Sequence, residues 1–88
     1  MAINPSRDFI NNRQSLKMAL AAHDWWYRES DDLEIYQAGR QAYEALERVL
    51  RQFKCPFDML TFHQFFSPGH TTKLTPAEKQ AIEDWFNE

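Results

Sequence analysis

An all-α single domain spanning residues 1–88, a bundle of about four helices with two long and two short, is the fold class this chain predicts. Three observations carry it. Two long stretches, 5–28 and 32–54, hold apolar residues at helical spacing with one glycine between them. Thr75-Pro76-Ala77-Glu78 joins an N-cap threonine, a proline at the first helical position and a glutamate at the third, a capping box. Two glycines in 88 residues and few β-branched side chains suit a sheet poorly.

The first helix is expected over 5–28, opening at Asn4-Pro5, where proline's missing N–H is harmless. At about 100° per residue, Phe9, Leu16, Leu20 and Tyr27 form one stripe, with His23 at its margin. Trp25 and Trp26 then point away from that core face. Glu29-Ser30-Asp31-Asp32 breaks the chain, and Ser30 or Asp31 caps a second helix over 32–54. Ile35, Ala42, Leu46, Val49 and Phe53 share its apolar face, and the spacing pairs Glu44 with Arg48 and Glu47 with Arg51. Gly39, beside Ala38 and Ala42, offers a place for a neighbouring element to approach closely. Lys54-Cys55-Pro56 ends this helix, because the residue before proline is pushed out of the α region.

Residues 57–66 are short and very apolar, and helix is the better reading because no second strand candidate exists to pair with them. Ser67-Pro68-Gly69-His70 reads as a type II turn and 71–74 as a loop. The last helix is expected over 76–87, with Ile82 and Trp85 inward. The predicted core is Leu16, Leu20, Ile35, Leu46, Val49, Phe53, Ile82 and Trp85.

Ten Lys and Arg against thirteen Asp and Glu give a net charge of −3, which argues against direct nucleic-acid binding. Arg40, Arg48, Arg51 and Lys54 share a face of the second helix, but Glu44 and Glu47 interrupt them, as on an ordinary solvated face. One cysteine, Cys55, forms no internal disulfide and suits a reducing compartment. There is no basic-then-apolar leader and no run of membrane-spanning length, so the expected location is the cytoplasm. His23, Cys55, His63 and His70 match no zinc spacing, and neither metal nor other cofactor is implied. Cys55 with His63 lacks any local mark of an activated nucleophile, and the expectation is that the chain is not an enzyme.

Two features exceed an ordinary core. Residues 24–34 surround Trp25, Trp26 and Tyr27 with five acids and one arginine, the composition of a protein-binding hot spot. Trp25 and Trp26 are the candidate anchors, and Glu29, Asp31, Asp32 and Glu34 the candidate acidic rim. Packing of both tryptophans against the short helices is the competing reading. The second feature is phenylalanine crowding at 53–66, where Phe57 and Phe62 cannot share the side taken by Phe65 and Phe66. Phe57 and Phe62 are therefore candidates for self-association as a homodimer.

Leu46-Glu47-Arg48-Val49, followed by Phe65-Phe66-Ser67, resembles a stretch in the Hha-type nucleoid modulators. Those are small acidic helical proteins that bind a DNA-coating partner. The resemblance is confined to these residues and gives no residue a role. The expected function is an adaptor or inhibitor that docks on a larger, basic-surfaced protein. Small phage and mobile-element antagonists of host nucleic-acid-handling machinery share this size and charge. The alternative is a homodimeric regulator or nucleoid-associated accessory without DNA affinity of its own.

Overall fold

The computed structural model describes residues 10–67 and 73–88, so Asn4-Pro5, Phe9 and the turn at Pro68-Gly69-His70 lie outside the described residues. Within them are four α-helices and no strand: α1 (Arg13–Ala22), α2 (Leu33–Gln52), α3 (Met59–Phe66) and α4 (Pro76–Asn87). A 3-10 turn, Tyr27–Glu29, joins the first two.

Every helix begins at a side chain that satisfies its orphan N–H groups. Asn12 caps α1: its Oδ1 accepts from the Ser15 N–H at 2.8 Å, while Ser15 Oγ accepts from the Asn12 N–H at 3.1 Å. Asn12 has extended backbone, which a helix running through from residue 5 could not contain. The expected first helix is thus corrected at its start, where this reciprocal cap wins, and at its end. After Ala22 the chain turns extended at His23, and Asp24 Oδ1 accepts from the Trp26 N–H at 3.0 Å. That local bond replaces a helical one.

Asp32 caps α2 by accepting from the Glu34 N–H at 2.9 Å. At the far end the N–H groups of Lys54 and Cys55 donate to the carbonyls of Arg51 and Leu50. This is a Schellman stop with Lys54 at φ 53°, where glycine is the usual occupant. It ends the helix two residues before the expected boundary. Asp58 caps α3 by accepting from Thr61 N–H and Oγ1–H at 2.8 and 2.7 Å. The expected capping box opens α4: Glu78 N–H donates to Thr75 Oγ1 at 3.1 Å, and Thr75 N–H to Glu78 Oε1 at 3.0 Å.

Helix α1 packs against each of the other three. Leu16, Ala19 and Leu20 meet Leu46, Val49 and Leu50 of α2, Met59 and Phe62 of α3, and Ile82, Trp85 and Phe86 of α4 in one core. Arg13 and Gln14 donate to the carbonyls of Trp85 and Phe86, both at 2.8 Å, so α1 caps the end of α4. Of the predicted core, Leu16, Leu20, Leu46, Val49, Ile82 and Trp85 are buried and Phe53 is half-buried.

Ile35 is the exception, 48% exposed. The 20 residues of α2 make it about 30 Å long. Its buried residues, Leu46, Val49 and Leu50, all lie in its C-terminal half, whereas its N-terminal half meets the short 3-10 turn at Gly39. The expected ion pairing is also amended: Glu44 pairs with Arg40 at 3.3 Å, while Glu47 pairs with Arg51 at 3.5 Å as spaced.

Phe62, offered as a self-association residue, is 0% exposed in the single chain. Phe57 precedes the Asp58 cap and its ring meets Phe62 edge-on at 6.1 Å, a hydrophobic staple that fixes the entry of α3. Phe62 also faces Phe66 and Phe86. Contacts from α1 and α4 bury Met59 and Phe62 while Leu60 stays exposed, so Phe62 has no surface left to present to a second copy, and Phe57 is half-buried.

Candidate protein-interaction surface

Three consecutive aromatics follow α1, and leaving the helix sends them to different places. Trp25 turns inward, 7% exposed, and its Nε1–H donates to the Leu20 carbonyl at 3.1 Å. Its ring stacks on His63 at 5.4 Å and meets the edge of His23 at 4.7 Å. The partner-anchor expectation is corrected for Trp25: it is a core residue that ties the end of α1 to α3. Tyr27 is buried too, against α2, and between them Trp26 stays 42% exposed beside His63. Trp26 is the member of the pair with surface to offer.

Gly39 explains the position of Tyr27. A Cβ on Gly39 would lie 2.3 Å from both Cβ and Cγ of Tyr27. The close approach expected at Gly39 therefore exists, and what approaches is the 3-10 turn rather than a helix.

The four acids of the expected rim, Glu29, Asp31, Asp32 and Glu34, are all exposed at the start of α2. Asp32 is also occupied as the N-cap. Leu33 and Ile35 stand exposed among these acids, a feature that periodicity hides because it assigns Ile35 to the core. Beside the turn lies a shallow cleft of about 50 Å³ lined by Trp25, Tyr27, Arg28, Met59 and His63, with Leu60 at its edge, 61% exposed.

A larger open groove of about 510 Å³ continues from this cleft between the 3-10 turn and α2. Tyr27, Tyr36, Tyr43, Arg28 and Arg40 line it, together with Glu44 and Glu47. Sequence reasoning missed this groove. Its signal was the spacing of Tyr36, Arg40 and Tyr43, which places two tyrosines and an arginine on one side of α2.

Burial, opposed by Asp24 and aided by His63, lowers the pKa of His23; its buried Nε2 has no hydrogen-bond partner among the described residues. Burial raises the Cys55 thiol, the opposite of what an activated nucleophile needs. Among the described residues no three His, Cys, Asp or Glu side chains are placed to hold a metal, and no helix is long and apolar enough to cross a membrane. Cys55→Ala should cost at most about 1–2 kcal/mol of stability in a denaturant titration, the loss of one half-buried small group.

Of the residues of the Hha-type likeness, Leu46, Val49 and Ser67 are buried and Phe65 and Phe66 lie against the core, while Glu47 pairs with Arg51 and Arg48 is exposed. No family model, no curated protein and no solved structure matches this chain.

Proposed function

We propose that the chain is a small acidic interaction module acting in the cytoplasm, an adaptor or inhibitor without catalytic activity that docks on a larger, basic-surfaced protein. The exposure of Trp26 between two buried neighbours carries this reading. Trp25 and Tyr27 hold the turn from both sides, so Trp26 is presented on a fixed backbone and loses little freedom on binding. Leu60 extends the apolar contact, and Glu29, Asp31 and Glu34 supply the negative rim that selects a positively charged partner. An antagonist of host nucleic-acid-handling machinery fits that partner chemistry. The homodimer alternative is less favoured, since Phe62 is buried and Phe57 packs on it.

The test compares the native chain with Trp26→Ala in affinity capture from cell lysate, followed by a Kd for the captured protein. Trp26→Ala should weaken binding at least ~30-fold, about 2 kcal/mol, while the fold persists. Glu29→Lys with Asp31→Lys should slow association most clearly at low salt. Asp32 is left intact, because its replacement would remove the cap of α2. A folded Trp26→Ala chain that binds the same protein with unchanged Kd would overturn the reading.

A further inference from the structure

The groove beside the Trp26 turn, unlike the acidic rim, holds two arginines as well as two glutamates. Of its two arginines, Arg40 is held by Glu44 at 3.3 Å. Of its two glutamates, Glu47 is held by Arg51 at 3.5 Å. Arg28 remains, exposed and with no carboxylate within ion-pair distance among the described residues. Its surroundings are aromatic: the guanidinium carbon lies 5.4 Å from the centre of the Tyr43 ring and 5.9 Å from that of Tyr27. Its Nε–H donates to Tyr27 Oη at 3.3 Å.

That arrangement leaves a specific edge unused. With Nε spent on Tyr27, the two terminal Nη groups of this groove-lining residue remain as a fork of parallel donors. Such a fork matches the two oxygens of one carboxylate. The phenols of Tyr36 and Tyr43 line the same groove as further donors.

We propose that this groove binds an extended acidic peptide segment, with one Asp or Glu carboxylate seated bidentately on Arg28 between Tyr27 and Tyr43. The site is separate from the Trp26 contact and needs no basic partner. An interaction face with an acidic rim and an anion-accepting groove demands both charges of its target.

The test is an NMR titration of the full chain with a capped hexaglutamate peptide, using capped hexalysine, inorganic phosphate and a short oligothymidylate as comparison probes. Hexaglutamate should give saturable shifts at Arg28, Tyr36 and Tyr43, including the Arg28 Nε–H. Arg28→Ala should weaken this binding at least ~10-fold, and Arg28→Lys should restore only part of it, because an ammonium lacks the fork. Trp26→Ala should leave hexaglutamate binding unchanged, so failure here and failure of the docking reading are told apart. Saturable shifts surviving in Arg28→Ala, no saturable shift with hexaglutamate, or tighter binding of phosphate or oligothymidylate at the same residues would each overturn the proposal.

Discussion

Trp25→Ala should destabilise the protein by about 3–5 kcal/mol, and Trp26→Ala by less than about 1 kcal/mol, although the residues are adjacent and identical in type. The Trp25 ring is buried between His63, stacked at 5.4 Å, and the edge of His23. Its removal leaves a cavity between α1 and α3 and takes the indole donor from the Leu20 carbonyl. That carbonyl lies in the last turn of α1, where the His23 N–H, at 3.3 Å, is its other donor. A domain of this size has roughly 4–13 kcal/mol of total stability, so the loss is a large fraction of it. In thermal unfolding Trp25→Ala should melt at least ~12 °C lower. Equal melting temperatures for the two variants would show that the turn does not hold Trp25 inward and Trp26 outward.

Gly39→Ala should also destabilise, by about 2–3 kcal/mol, against the ordinary trend for a helix interior. Helix propensity favours alanine by about 0.5–1 kcal/mol. The overlap is larger, because the new Cβ would sit 2.3 Å from Tyr27 Cβ and Cγ, well inside the about 3.5–4.0 Å of carbon contact. These atoms lie at the root of the side chain, so ring rotation does not relieve the clash and the 3-10 turn must move. Overpacking of this kind costs about 1–3 kcal/mol and sometimes more. The decisive measurement is the same substitution in a Tyr27→Gly background, where no Cβ opposes it. There Gly39→Ala should become neutral or stabilising by up to about 1 kcal/mol. Destabilisation of similar size in both backgrounds would remove the Tyr27 contact as the cause. Displacing the turn also moves Trp26, so Gly39→Ala should weaken partner binding without touching the interface.

Local chemistry made much of this fold legible. The box at Thr75 and Glu78, with Pro76 behind the cap, placed α4 correctly because those bonds close within one turn and need nothing from the rest of the chain. The long period of α2 was legible too, but its cap falls on Asp32 and not on the expected Ser30 or Asp31. The aromatic and acidic composition of 24–34 marked the region that carries Trp26. Which tryptophan is exposed was not legible, because projecting about 100° per residue through Tyr27 assumes a helix the chain leaves at Ala22. Asn12, Ser15 and Asp24 were present as polar residues in a helical pattern, but whether each solvates or caps is a competition between bonds of similar strength.

The sequence alone determined the helical class, the capped start of α4, and which face of the C-terminal half of α2 is apolar. Only the tertiary structure decided how far along α2 that face is covered, that Ile35 lies beyond the cover, and that Phe57 packs on the buried Phe62 at the start of α3. It also brought Arg28 over Tyr43 across the space that Gly39 leaves open. The physical reason is range. Periodicity and capping are settled by bonds within about four residues, whereas burial depends on the length and placement of partners that no single segment encodes.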